Sequence, residues 1–264
     1  MIRKFLRKIK AGNTSNLKIL QDLEVFYPLT SSPERFVDLA LSAANSFPTQ
    51  LSQLIPDQSS KSALPLPPAP SGIITSFEEA FKEFGSDKST KHNYHETYAS
   101  ILHSAGTEAP LNVLEIGLGT NDASAVSTMG TAGRPGASLR AFRKLLPNAN
   151  IYGLDIDQRI LFSDDRIKTS HVDQTDPSTF PEALRRLGCN TFDLIIDDGL
   201  HSVEANMNTL LHLKPYLNDG GWMVIEDIPS RTAAVWLLVE RLLTERNIAC
   251  RLLDTPTHSL FLTR

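Results

Sequence analysis

The chain has only two cysteines, Cys189 and Cys250, in 264 residues. That excludes a disulfide framework, and their spacing fits no zinc site. Two separate thiols suit a reducing cytoplasm, the compartment expected here. No apolar run reaches the roughly 18 residues that a membrane-spanning helix needs. Positive charge is in deficit, with 26 Lys and Arg against 30 Asp and Glu and a net charge of −4. Nucleic-acid binders usually show a basic patch or a basic overall charge, so no such partner is expected. Tryptophan is scarce, and Trp222 and Trp236 both read as core residues. What is present, 41% hydrophobic and 21% charged residues, is an ordinary globular composition. The length allows one domain with an appendage or two small domains.

The first ten residues, Met1 to Lys10, are basic, with apolar Ile2, Phe5, Leu6 and Ile9. That spacing predicts a short amphipathic helix, docked on its own domain in preference to a membrane. No long apolar stretch follows, which argues against a secretory signal. Residues 1–57 read as a helical N-terminal region, open to roles as a dimer contact, a substrate lid or a membrane foot. Residues 58–71 include Pro65, Pro67, Pro68 and Pro70 and read as a stiff linker. From 72 to 264 apolar runs of strand length alternate with helical periodicity. Strands are expected at Leu111–Ile116, Ile151–Leu154, Ile167–Val172, Leu194–Ile196 and Trp222–Ile225. Helices are expected at Phe77–Phe84, Tyr94–Ala105, Ser138–Leu146, Pro181–Leu187, Val203–Leu217 and Ala233–Arg246. This alternation implies a parallel sheet covered on both faces. The last runs, Ala249–Leu253 and Ser259–Thr263, are joined too tightly for a parallel crossover and predict a hairpin. The expected fold is therefore α/β and Rossmann-like. It is a mostly parallel seven-stranded sheet with one antiparallel C-terminal strand, the topology of class I methyltransferases.

Two of these strands finish in acid pairs. Leu194-Ile195-Ile196 runs into Asp197-Asp198-Gly199-Leu200-His201, and Trp222-Met223-Val224-Ile225 runs into Glu226-Asp227. Carboxylates held together repel one another unless a cation or a shared proton lies between them. The pattern points to a hard metal ion with a histidine beside it. Gly199 lets the chain turn sharply so that His201 returns over the pocket.

After the first strand come Glu115-Ile116-Gly117-Leu118-Gly119. Glycine at 117 and 119 lets a ligand approach the backbone, and open α/β sheets bind ligands at this edge, near the point where strand order reverses. A dinucleotide dehydrogenase is disfavoured. Asp122 stands where the third glycine of that fingerprint belongs, and helical character resumes only at Ser138. Asp155 ends the second strand and can accept from ribose hydroxyls. Asp173 ends the third, where it or Gln174 can meet an adenine amino group. With Glu115 and Asp197 these acids form a row that repels pyrophosphate but suits a cationic ligand such as S-adenosylmethionine. A single strand-end acid would more simply cap a helix.

The ordered motifs Phe84-Gly85-Ser86-Asp87-Lys88, His92-Asn93-Tyr94, Val113-Leu114-Glu115-Ile116-Gly117, Ile151-Tyr152-Gly153-Leu154-Asp155, Val172-Asp173-Gln174-Thr175-Asp176-Pro177, Asp197-Asp198-Gly199-Leu200-His201 and Val224-Ile225-Glu226-Asp227 resemble the metal-dependent sugar O-methyltransferases of the mycinamicin and tetracenomycin rhamnosyl type, within the cephalosporin hydroxylase-like superfamily. The resemblance covers about residues 80–230. It implies S-adenosylmethionine as cofactor and a small-molecule hydroxyl acceptor, a sugar or a glycosylated natural product. It also implies Mg²⁺ held by Asp198 and Asp227, with Glu226 as a further ligand. His201 is then the general base, a role that suits a side chain able to exchange a proton near neutral pH. Asp197 is assigned to the cofactor side. The serine of the family's Asp-Asp-Gly-Ser-His is Leu200 here, a departure that bears on the acceptor. Lys88, His92 and Tyr94 read either as cleft lining or as a solvated helix face. His103, His171, His212 and His258 read as structural. Two other functions stay open: a hydroxylase-associated role, and a binding module that keeps the cleft without turnover.

Overall fold

The computed structural model describes residues 64–125 and 127–264. The readings made for residues 1–57 and for the first part of the linker lie outside the described residues. The remainder of the Pro-rich segment is irregular, and it sets Leu64, Leu66 and Ala69 against the domain core.

Six helices and eight strands follow. The helices are α1 (Ser71–Phe84), α2 (Tyr94–Ala105), α3 (Ala137–Leu145), α4 (Phe180–Leu187), α5 (Val203–Leu213) and α6 (Ala233–Thr244). The strands are β1 (Asn112–Ile116), β2 (Asn150–Asp155), β3 (Ser163–Asp164), β4 (Ile167–His171), β5 (Phe192–Asp197), β6 (Leu217–Ile228), β7 (Cys250–Leu253) and β8 (Ser259–Thr263). They form one sheet in the order β3-β4-β2-β1-β5-β6-β8-β7. The five strands from β4 to β6 are parallel, and β8 runs antiparallel to both β6 and β7. The expected topology gains one element, the two-residue edge strand β3, antiparallel to β4. No helix among the described residues is long and apolar enough to cross a membrane.

Strand alternation sorts side chains between two cores. Val113, Ile151, Leu194, Ile196 and Val224 face α1, α2 and α3, where Phe81, Tyr98 and Phe142 meet edge to face. Leu114, Leu154, Ile195, Met223 and Ile225 face the opposite core with Phe180, Leu184, Leu210 and Trp236. The central strands are buried on both sides, which is why they read as continuous apolar runs.

Two helix ends matter for the site. Gly85 ends α1 in the left-handed region at φ 80°, with its N–H on Lys82 O and the Ser86 N–H on Phe81 O. This glycine-centred cap turns the chain back under the sheet edge and delivers Lys88. Ser202 caps α5 by accepting from Ala205 N, which places His201 one residue ahead of the cap. The expected helix to Leu217 stops at Leu213. A 3-10 turn containing Pro215 follows, because proline lacks the N–H that helix continuation needs.

Candidate active site

Strand order reverses between β1 and β5, and the loops after these strands touch. Gly117, at φ 89°, lies so close to the next loop that a Cβ there would sit 2.0 Å from the Asp198 carbonyl oxygen. The glycine thus serves strand-loop packing first. Gly117→Ala is expected to cost at least about 1–3 kcal/mol from backbone strain alone, with a lower urea midpoint as the measurement. Likewise a Cβ on Gly119 would collide with the Met129 thioether.

A cleft of about 680 Å³ opens at this edge, a volume within the range of small-molecule sites. Its walls include Gly117, Gly119, Asp155, Ile156, Asp173, Gln174, Asp198, His201, Asp227 and, from outside the parallel strands, His92 and His258. Ile156 leaves 55% of its surface exposed there. Asp155 accepts from Leu118 N at 2.6 Å and Asp157 N at 2.8 Å. Burial raises its carboxyl above the ordinary value against these hydrogen bonds. Gln174 borders the cleft, but its side chain is already engaged. It donates to Asp197 and Thr209 and accepts from Leu200 N at 2.9 Å.

Three predicted site residues lie elsewhere. Asp197 is fully buried and accepts from Gln174, Asn206 and Gly199 N, so it anchors the loop below the cleft and is not among the residues that line it. The reason is alternation: Asp197 is two residues after Ile195 and points to the α5 side. Glu115 is also buried, meeting Ser138 Oγ at 2.5 Å and Lys88 Nζ at 3.1 Å. Glu226 is buried against Lys88 Nζ at 2.7 Å and the Tyr98 hydroxyl. It lies apart from the clusters that could hold a metal. Both glutamates occupy positions on the α1–α3 face.

The residue that organises this face is Lys88. It is 1% exposed, and its ammonium touches Glu115, Glu226 and Asp198, the last at 2.7 Å. Burial alone would lower its pKa, but the three carboxylates outweigh that and hold it protonated well above the ordinary lysine value. Burial in turn raises the acids, Glu226 most clearly, against the pull of Lys88.

Asp227 follows Glu226 in the stretch where β6 shifts register against β8, between Ile225 and Ile228. Asp227 has a left-handed backbone at φ 53°, and His201 does so at φ 56°. Non-glycine residues held there are strained, and such strain clusters at functional sites. Asp227 Oδ1 accepts from the Tyr94 hydroxyl at 2.5 Å. Burial works to raise the Asp227 carboxyl. The Tyr94 hydrogen bond and the nearby His201, His92 and Lys88 outweigh it, so the net shift is downward. Burial and the Asp227 hydrogen bond push the Tyr94 phenol upward.

His201 Nε2 lies 3.8 Å from Asp198 Oδ1 and 3.9 Å from Asp227 Oδ2. One ligand atom from each of these three residues falls within 4.8 Å of the others. Lys88 meets the second oxygen of Asp198 and the Tyr94 hydroxyl that of Asp227, which leaves Asp198 Oδ1 and Asp227 Oδ2 toward His201. His201 Nδ1 is buried without a hydrogen-bond partner among the described residues. Two converging carboxylate oxygens with room for water fit a hard divalent cation such as Mg²⁺.

The segment 130–228 matches the model of a family described as a methyltransferase domain. The chain is 32% identical over 144 residues to an 8-demethyl-8-alpha-L-rhamnosyl tetracenomycin-C 2'-O-methyltransferase of Streptomyces olivaceus. That match spans 54% of this chain and 35% of the relative. It is 39% identical over 94 residues to the mycinamicin VI 2''-O-methyltransferase of Micromonospora griseorubida, spanning 35% of this chain and 23% of that one. These matches therefore cover only about a third or less of the relatives' own length. In fold it is similar to the MycE methyltransferase of the mycinamycin biosynthetic pathway, solved in complex with Mg, SAH and mycinamycin VI. That similarity has a TM-score of 0.58 at 23% identity and covers 72% of this chain and 53% of the other. The chain accordingly has a Rossmann-like fold, matches a methyltransferase-domain model over residues 130–228, and resembles the sugar O-methyltransferases of the tetracenomycin and mycinamicin type.

Proposed function

We propose that this chain is an S-adenosylmethionine- and Mg²⁺-dependent O-methyltransferase. Its acceptor is a hydroxyl of a sugar or of a glycosylated natural product. The observation that carries the reading is the position of His201. Its imidazole sits between the free oxygens of Asp198 and Asp227 and lines the same cleft as Gly117, Asp155 and Asp173.

Each residue then has a definite task. Asp198 and Asp227 would hold the metal. When bound, the metal would polarise an alkyl hydroxyl and S-adenosylmethionine would supply an electrophilic methyl. His201 takes the hydroxyl proton at Nε2 as general base. Asp155, Asp173 and the exposed face of Ile156 line the part of the cleft assigned to the adenosyl group. The walls bring acceptor and donor together, and positioning of this kind supplies much of the rate.

A screen of S-adenosylhomocysteine release over rhamnosides and other glycosides is expected to find an acceptor. Turnover should stop on chelation and return with added Mg²⁺. Chelator-insensitive turnover would remove the metal from the reading. Calorimetric binding of NAD in preference to S-adenosylmethionine would remove the methyltransferase reading altogether.

A further inference from the structure

Asp227 has a second coordination face, distinct from the one it shares with Asp198 and His201. Its Oδ1 atom lies 3.8 Å from His92 Nε2 and 3.9 Å from His258 Nδ1. One atom from each of these three side chains falls within 4.8 Å of the others. From this geometry we infer that His92, Asp227 and His258 form a separate two-histidine, one-carboxylate site for a borderline transition-metal ion of the Zn²⁺, Co²⁺ and Ni²⁺ class.

The hydrogen bonds around the cluster support a cation at its centre. His92 Nδ1 is 2.6 Å from Thr257 Oγ1. With Nδ1 donating to that hydroxyl, the Nε2 lone pair faces the Asp227 carboxylate. Two such acceptors face each other favourably only with a proton or a metal cation between them, and the second imidazole, that of His258, adds a further donor atom for a metal. Fixing the outer ring nitrogen by a neighbour is the usual way a metal-binding histidine is oriented. The Nδ1 atom of His258 is buried and has no hydrogen-bond partner among the described residues. The Tyr94 hydroxyl holds Asp227 Oδ1 from the remaining side, and its ring stacks on His92 at 4.7 Å between centroids.

The distances are close to what a metal requires. A tetrahedral ion bonded to oxygen and nitrogen at about 2.1 Å places them about 3.4 Å apart. The separations here exceed that by a few tenths of an ångström. Donor chemistry separates the two faces. Imidazole nitrogen suits Zn²⁺, Co²⁺ and Ni²⁺, whereas Mg²⁺ takes oxygen. Asp227 would bridge them, with Oδ2 toward the oxygen-rich face and Oδ1 toward the nitrogen-rich face. Three protein ligands leave a position open to the cleft.

The inference concerns metal binding and does not rest on methyl transfer, so either can fail alone. The full chain, stripped with chelator and supplied with excess Mg²⁺, is titrated with Co²⁺ and followed by its visible absorption. One equivalent of Co²⁺ should bind in the presence of Mg²⁺. His258→Ala, on an exposed turn, should weaken it by at least about tenfold, the lower end of what even outer-shell changes cost. His92→Gln should do the same, and Asp198→Asn should leave the cobalt spectrum in place. Unchanged Co²⁺ affinity in His258→Ala would overturn the inference. So would stoichiometric displacement of Co²⁺ by Mg²⁺.

Discussion

Lys88→Met is expected to destabilise the domain by about 3–5 kcal/mol, the range for leaving buried charge without its partner. Glu115 and Glu226 are fully enclosed, and Asp198 is partly so. Methionine keeps the volume of the lysine stem and removes only the ammonium. Burial would then raise the two glutamates further, without the opposing pull of the ammonium. A carboxyl whose folded pKa lies above its unfolded value contributes its full stability below the unfolded pKa. That contribution is lost as pH rises through the folded one. The deficit relative to the parent should therefore be small near pH 5 and large at pH 8. Urea denaturation at both pH values measures it. A deficit equal at both, or larger at pH 5, would show that Lys88 does not neutralise this cluster.

His201→Asn should lower kcat for methyl transfer by about 10²–10⁴, the usual contribution of a positioned general base. Asparagine is chosen because it tolerates the left-handed backbone that His201 adopts. The substitution thus tests the imidazole with little added strain. S-adenosylmethionine affinity, read by calorimetry, should stay close to that of the parent. Full turnover in this variant would assign the proton to another group. A loss confined to KM would make His201 a binding residue.

Much of the sheet was legible because its strands are short apolar runs with helical spacing between them. The hairpin followed from the brevity of the Thr255–Thr257 turn. Alternation within those strands also contained more than was drawn from it. Val113 and Glu115 share one face, as do Val224 and Glu226, while Asp197 goes with Ile195 to the other. That parity assigns both glutamates to one interior and Asp197 to another, and so takes all three out of the cleft. What parity could not supply is Lys88, which lies 110 residues from Asp198 and 138 from Glu226. Contacts at such separation depend on how α1 ends and where the chain goes next, and no local pattern encodes them. His258 was read as structural because no motif surrounds it. Its approach to Asp227 follows from the pairing of Ser259 with Ile228.

That pairing has a consequence for how the domain can change. Because β8 runs opposite to β6, its first residue lies at the cleft edge and its last, Thr263, pairs back at Met223. The turn that carries Thr257 and His258 therefore belongs to the rim of the cleft, although it connects no helix. A loop between parallel strands leads into a crossover helix, which restrains its far end. The 254–258 turn answers to one hairpin only. Residues can be inserted, deleted or grafted there while the parallel strands, Asp198 and His201 keep their places, so this part of the rim can be rebuilt at little structural cost.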